Sequence, residues 1–261
     1  MRGLAAVAVA GVAALMVRRW LSVREAFAAV RPELRSPLLP FMPTVSARAL
    51  PVNRYVARRR TSAGTGVTVA ERHVGQQSVR VLVTEPVEQA PLRPGLLWIH
   101  GGGMVVGSPQ FELSGIGPTA LDLGAVVVAP EYRLAPEHPF PAALDDCMDV
   151  LKWMRSHADE LGVDRDRIAV TGASAGGGLS ATVAQRAYDE GIFLCAQALV
   201  YPMLDDRVTL RESPGRGHFL WTRASSHLGW TAYLGRPPST LAAPDYAAAA
   251  RRIDLSGLAL A

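Results

Sequence analysis

The chain has 261 residues, of which 49% are hydrophobic, and it carries a formal net charge of +4. This length and composition suit one large folded domain and differ from those of disordered chains. Its two cysteines, Cys147 and Cys195, are too few for a disulfide framework, and no spacing of residues indicates a metal site.

The positive charge is concentrated in the first 60 residues, which hold eleven arginines against two glutamates, a balance of +9. No helix-turn-helix or zinc-finger pattern accompanies these arginines, so nucleic acid is not an expected partner. Two interpretations of the basic segment stay open: contact with an anionic membrane surface, or a face that is simply solvated.

An apolar run of 14 residues, 4–17, begins shortly after Arg2 and ends at Arg18 and Arg19. The run is short for a membrane span, and positive charge directly after it opposes export. We therefore expect a cap helix or a helix on a membrane surface, with a signal or anchor segment or a misassigned start as alternatives. A cytoplasmic location follows, with or without peripheral attachment to a membrane.

The central part of the chain alternates between strand and helix patterns. Two segments with alternating polarity, 66–75 and 78–86, predict an antiparallel hairpin. Continuous apolar runs at 95–100, 124–132, 167–172 and 194–202 are typical of parallel strands buried on both faces. One helix is predicted over 141–162, ending at Gly162. The pattern predicts an α/β fold with a doubly wound, mostly parallel sheet.

The segment Gly172-Ala173-Ser174-Ala175-Gly176 has the G-x-S-x-G spacing and lies between a buried strand and a helical pattern. Small neighbours permit the sharp strand-to-helix turn that exposes a nucleophilic serine. An ordinary glycine-rich turn and a phosphate cradle are the alternatives, and the cradle is disfavoured because no Lys-Ser/Thr pair follows. The sequence predicts that Ser174 is a nucleophile at the start of a helix.

A second glycine-rich motif, His100-Gly101-Gly102-Gly103, follows the apolar run at 95–100. Consecutive glycines leave backbone N–H groups free to point at a developing oxyanion. A flexible turn would explain the glycines alone. Because both motifs follow parallel strands, we expect this loop to lie beside Ser174 at one edge of the sheet.

Together with "EYRLAPEHPFPAALDD" (131–146), these motifs resemble the hormone-sensitive-lipase-like group of α/β-hydrolases, which includes bacterial carboxylesterases. The resemblance covers roughly residues 75–205, and the segment 215–235 is also similar. It implies hydrolysis of a small-molecule carboxylic ester through an acyl-serine, without a cofactor. It further implies that Glu137 and His138 are structural. The implied site consists of the nucleophile Ser174, an oxyanion hole from backbone N–H groups of Gly102, Gly103 and Ala175, and His100 and Gly101 as loop-organising residues.

The resemblance also implies an acid and a base after Ser174, in the order Ser, Asp or Glu, His. No downstream candidate stands at a position that the family's triad uses. Moreover, Ala173 replaces the aspartate that often precedes the serine in this family. The candidates are Asp189, Asp205, Asp206, Asp245, Asp254, His218 and His227.

We therefore expect a C-terminally truncated esterase without the acid and base of its triad. Residues 1–60 are interpreted as a basic helical or cap segment, and residues 61–261 as an incomplete α/β-hydrolase domain whose last strands are missing. The resulting unpaired sheet edge would favour self-association. Two alternative functions stay open: a non-catalytic ligand-binding protein of the same fold, and an amide or formamide hydrolase.

Overall fold

A computed structural model describes residues 2–42, 44–88, 90–211 and 217–260 of the chain. The strands are β1 (Val67–Val74), β2 (Val79–Pro86), β3 (Arg93–Ile99), β4 (Val126–Pro130), β5 (Val163–Ala173) and β6 (Ala196–Val200). The helices are α1 (Arg2–Ala28), α2 (Leu50–Ala57), α3 (Leu113–Leu123), α4 (Ala142–Ser156), α5 (Ala158–Leu161), α6 (Ala175–Asp189) and α7 (Arg223–Leu234). Positions 215 and 216 of the segment 215–235 lie outside the described residues.

The six strands form one sheet in the order β1-β2-β4-β3-β5-β6. The predicted hairpin is present, since β1 and β2 pair antiparallel, and β2 continues antiparallel to β4. The remaining pairs, β3 with β4, β3 with β5, and β5 with β6, are all parallel. The predicted mostly parallel sheet is confirmed, and it brings the ends of β3, β5 and β6 to one edge.

Helices cover both faces of the sheet because the central strands carry apolar residues on both sides. On one face, Ile116 and Ala120 of α3 pack with Leu96 and other residues of the neighbouring strands. On the other face, α4 and α6 enclose the larger core, in which Leu97, like the helix residue Leu144, has no exposed surface. This two-sided cover is what a doubly wound sheet requires.

The single helix predicted over 141–162 is in fact two helices, α4 and α5. His157 separates them, with φ −108° and ψ 21°. Its ring Nδ1 lies 3.1 Å from the Trp153 carbonyl oxygen and 2.9 Å from Ser156 Oγ. Such local side-chain bonds compete with continuation of the helix. Gly162, at φ 61°, ends α5 in the left-handed region as predicted.

The N-terminal helix α1 is exposed along most of its described length and joins the rest of the protein near its end. Val23 is buried, and the ring of Phe27 lies 6.5 Å from that of Phe219. Arg19 donates from Nε to the Pro40 carbonyl and from Nη2 to the His218 carbonyl, at 3.0 and 3.2 Å. Across the described part of the chain, no helix combines the length and the hydropathy that crossing a membrane requires. A domain boundary between residues 60 and 61 stays a prediction.

Strand β6 is the last strand on its side of the sheet among the described residues. Its outer edge is partly covered by the segment 257–260. Gln197 donates its backbone N–H to the Leu260 carbonyl at 2.8 Å and its Nε2 to the Ala259 carbonyl at 2.9 Å. Val200, at the end of the strand, is exposed.

Candidate active site

Ser174 occupies a single-residue turn between β5, which ends at Ala173, and α6, which begins at Ala175. Its backbone has φ 56° and ψ −118°, a conformation that residues with a side chain rarely adopt. A hydrogen bond to the end of β6 stabilises this turn, since the Ser174 N–H donates to the Val200 carbonyl at 2.9 Å. The Ser174 carbonyl in turn accepts from the Met203 N–H at 2.8 Å. The half-buried side chain is thus presented at the sheet edge.

The glycines on either side of Ser174 are explained by how closely α6 approaches β3. A Cβ atom on Gly176 would collide with the Ile99 carbonyl oxygen, and one on Gly172 would lie 2.5 Å from that same oxygen. Any side chain at these two positions would push the helix away from the strand. The G-x-S-x-G spacing is therefore a requirement of this backbone packing.

The glycine loop follows β3 and lies against the turn that carries Ser174. A Cβ atom on Gly101 would lie 3.7 Å from the Ser174 Cβ. Gly102 and Gly103 have φ values of 117° and 63°, which favour glycine. Within the described residues, the N–H groups of these two glycines donate to no carbonyl. They are thus available to bind an anionic oxygen.

His100 is fully buried beneath this loop, with its ring stacked on that of Tyr132 at a centroid distance of 4.1 Å. Its Nδ1 lies 2.8 Å from the Gly101 carbonyl oxygen, which can only accept, so Nδ1 carries the hydrogen. Burial lowers the pKa of His100 from 6.5 to about 4, which keeps the ring neutral at pH 7. The Tyr132 hydroxyl donates to the His100 carbonyl at 3.0 Å. These contacts fix the start of the loop.

Two further residues hold the glycine loop, and the sequence motifs contain neither. Glu112 accepts from the Gly101 N–H at 3.0 Å and from the Trp98 Nε1 at 2.6 Å. The ring of Trp221 fills the space beside Gly103, where a Cβ atom would collide with it. Nothing in their spacing signals these contacts, which depend on how distant segments pack.

A third contact that the motifs do not show ties α2 to the loops around the site. Arg54 makes a bidentate pair with Glu137, at 2.8 and 2.7 Å, and donates to the carbonyls of Val105 and Ala135. The bonds from Arg54 lower the pKa of the Glu137 carboxyl to about 2. Glu137 therefore lies in an ion pair, while the neighbouring His138 is exposed.

Four of the five acidic candidates downstream of Ser174 are bonded to other side chains. Asp189 is at the far end of α6, where Arg252 and the Tyr246 hydroxyl bind it. Asp206 is buried and forms two 2.7 Å bonds to the guanidinium of Arg251. The other three are Asp205, paired with Arg207, Asp254, bonded to Ser256, and Asp245, which is exposed.

The two downstream histidines are both exposed, His218 before α7 and His227 within it. Among the described residues, no hydrogen bond joins the Ser174 hydroxyl to a histidine ring. Nor does the described part of the chain gather three His, Cys, Asp or Glu side chains into a metal site. The structure thus brings together Ser174, the glycine loop and His100, without bringing an acid–base pair to them.

Comparison with known proteins agrees with this geometry. A family model described as the alpha/beta hydrolase fold matches residues 96–261. The esterase LipI of Mycobacterium tuberculosis is 45% identical over 98 residues, which cover 38% of this chain and 31% of that protein. Arylacetamide deacetylase of Oryctolagus cuniculus is 44% identical over 147 residues, 53% of this chain and 36% of that protein.

Among solved structures, a bacterial heroin esterase superposes with a TM-score of 0.77 at 35% identity, covering 90% of this chain and 79% of that one. The matched regions span only about a third of the two curated relatives. The family match, by contrast, extends over more than half of this chain and includes the glycine loop and Ser174. The resemblance read from the motifs is confirmed, and the chain belongs to the hormone-sensitive-lipase-like family of the α/β-hydrolase fold.

Proposed function

We propose that the chain carries the nucleophile and the oxyanion-binding loop of a carboxylic ester hydrolase. The observation that carries this proposal is the strained backbone of Ser174, held on a strand-to-helix turn against a loop with free N–H groups. Strain of this kind concentrates at functional sites. The names of the relatives, which include esterases and a carboxylesterase, support the same chemistry.

In the proposed reaction, hydroxide from solvent takes the proton of the Ser174 hydroxyl, and Oγ attacks the ester carbonyl carbon to form a tetrahedral intermediate. The N–H groups of Gly102, Gly103 and Ala175 donate to its oxyanion, and the position of Ala175 at the start of α6 adds the positive end of the helix dipole. Collapse of the intermediate expels the alkoxide, which takes a proton from water to become the alcohol, and leaves an acyl-serine that water then hydrolyses to release the acid. His100 remains neutral and holds the loop through Gly101.

The proton of the Ser174 hydroxyl has no acceptor histidine among the described residues. Losing the base of a serine triad lowers turnover about a million-fold, while an oxyanion hole and binding retain roughly 10³–10⁴ over water. We therefore propose that these 261 residues alone turn over esters very slowly. The absence of a base at Ser174 in the described residues also favours the alternative of a non-catalytic ligand-binding protein.

Acylation of Ser174 by p-nitrophenyl acetate tests the proposal, read by peptide mass spectrometry. The exposed Ser78, which has no hydrogen bond to a histidine ring within the described residues, is an internal reference, and the Ser174→Ala and Ser78→Ala variants identify each label. Labelling of Ser174 should exceed that of Ser78 and increase with pH, because hydroxide replaces the missing base. Imidazole in the buffer should accelerate it for the same reason. Equal labelling of the two serines would contradict the nucleophile assignment, and would leave the ligand-binding alternative.

Amide hydrolysis is a second candidate, favoured by the similarity to arylacetamide deacetylase. The same nucleophile and oxyanion loop can serve both reactions, and the leaving group alone differs. Comparing Ser174 acylation by p-nitrophenyl acetate and by p-nitroacetanilide decides between them. Faster labelling by the anilide, in spite of its poorer leaving group, would assign an amidase.

We further propose a small-molecule ester as the partner and a cytoplasmic location. The location is supported by Arg18 and Arg19, which follow the apolar run and oppose its export. Self-association through the partly covered edge of β6 is a further proposal, supported by the exposed end of that strand. Cell fractionation and sedimentation velocity test these two proposals respectively.

A further inference from the structure

Nine large apolar side chains between residues 15 and 42 are exposed and form an apolar area at the N-terminal end of the protein. We call this area the N-terminal apolar surface. It has two parts: the middle of α1 and the loop that follows the helix. Its residues are Leu15, Met16, Val17, Trp20 and Leu21 of α1, and Leu34, Leu38, Phe41 and Met42 of the loop, each at least 39% exposed.

The sequence of α1 shows what kind of environment would cover such a surface. Residues 4–17 are apolar or glycine without exception, so this part of the helix has no polar face for water. A helix that is apolar all round is normally buried in protein or lipid. At about 1.5 Å per residue these 14 residues span about 21 Å, which is shorter than a bilayer core of about 30 Å.

Charge next to the apolar surface distinguishes a lipid from a second copy of the chain. The exposed Arg18 and Arg24 follow the apolar run, and the exposed Arg31 and Arg35 stand beside Leu34. The first 60 residues carry a balance of +9, so two copies joined at this surface would bring like charges together. An anionic lipid surface offers both an apolar interior and compensating charge.

We propose that the N-terminal apolar surface docks on an anionic lipid bilayer. The apolar part of α1 inserts into one leaflet, and Arg18 and Arg24 lie at the depth of the lipid phosphates. Trp20, between these arginines, has the amphipathic ring that is enriched at membrane interfaces. This proposal goes beyond ester hydrolysis and does not depend on Ser174.

The rest of the protein would stay anchored beside this surface. Arg19 is turned away from lipid, since its guanidinium donates to the carbonyls of Pro40 and His218. Phe27 contacts Phe219 on the same segment. Two residues further on, Trp221 packs against Gly103 of the glycine loop. Docking through α1 would therefore hold the segment 217–221, which borders the candidate active site, close to the lipid.

Vesicle sedimentation with the full chain tests the proposal. The vesicles contain either phosphatidylcholine alone or equal parts of phosphatidylcholine and phosphatidylglycerol. We expect binding to the mixed vesicles, weaker binding to the neutral ones, and loss of the difference in high salt because the charges are screened. Each arginine near an anionic surface contributes about fivefold in affinity, so Arg18→Ala/Arg24→Ala should weaken binding about 25-fold.

The matched control is Arg72→Ala/Arg165→Ala, which removes two exposed arginines outside the first 60 residues and should bind like the unaltered chain. A second variant, Leu15→Ser/Leu21→Ser, should weaken binding to both kinds of vesicle. The proposal is wrong if the chain binds neither vesicle, or if the two arginine pairs have equal effects. It is also wrong if Arg18→Ala/Arg24→Ala changes the oligomeric state without lipid. Ser174→Ala should bind vesicles normally, so a failed nucleophile assignment would not affect this result.

Discussion

Burial of His100 predicts that the protein loses stability in mild acid. The ring has no exposed surface, and burial lowers its pKa from 6.5 to about 4. In the unfolded chain the same ring takes up a proton as the pH falls through 6.5. Because the folded state does not bind that proton until about pH 4, the stabilisation is complete above pH 6.5 and is lost progressively towards pH 4.

The size of the effect follows from these two pKa values. A difference of about 2.5 units between the states corresponds to about 3 kcal/mol once both forms have titrated, since one unit is about 1.4 kcal/mol. Between pH 7.5 and pH 5 alone, linkage gives a loss of about 2 kcal/mol in the free energy of unfolding. The range from pH 7.5 to 5 isolates the contribution of His100. The Glu137 carboxyl, whose pKa is lowered to about 2, makes the stability depend on pH mainly below pH 4.5.

The measurement is urea unfolding, followed by tryptophan fluorescence, at several pH values from 7.5 to 5. The matched variant is His100→Gln, which keeps a donor for the Gly101 carbonyl but has no group that titrates in this range. The variant should be less stable at pH 7.5 and should lose about 2 kcal/mol less than the unaltered chain on going to pH 5. Equal losses in the two proteins would refute the reasoning, because they would show that His100 does not supply the pH dependence.

Two further predictions concern the core and the wall of the site. Asp146 is buried and binds Arg133 through both carboxylate oxygens, so Asp146→Ala should lower the free energy of unfolding by about 2–3 kcal/mol, the loss of hydrogen bonds to a charged group. Asp145→Ala, which breaks a half-exposed pair one residue earlier, should cost about 1 kcal/mol or less in the same urea titration. Trp221→Ala should open space beside Gly103 and raise acylation of Ser174 by p-nitrophenyl butyrate relative to the acetate, by about tenfold or more. An unchanged ratio would show that the indole ring does not limit the acyl group.

Features encoded by local patterns were predictable from the sequence. The alternating polarity of 66–86 predicted the hairpin, and the continuous apolar runs predicted the parallel strands. The small residues around Ser174 predicted the turn before α6, because backbones that pack this closely require glycine at the points of contact. In the helix over 141–162, by contrast, side-chain bonding at His157 decided the break, and helical periodicity carries no sign of it.

Contacts between distant segments were not predictable. Glu112 and Gly101 are 11 residues apart, and Arg54 and Glu137 are 83 apart. Each pair joins segments that meet only in the folded sheet, so neither contact leaves a pattern in a short window of sequence. The exposed positions of His218 and His227 agree with the expectation that neither serves as the base, yet the roles assigned to the site residues stay predictions.

The collision that a methyl group on Gly176 would make with the Ile99 carbonyl has a consequence for how this site can diversify. A Cβ atom on Gly172 would also lie too close to this carbonyl oxygen, so the turn that carries Ser174 and the strand that leads into the glycine loop meet at one backbone contact. A shift of β3 or of α6 at this contact would move both Ser174 and the glycine loop. We therefore expect changes in substrate preference to come from residues around the site, such as those of the segment that carries Trp221, and not from Gly172 or Gly176.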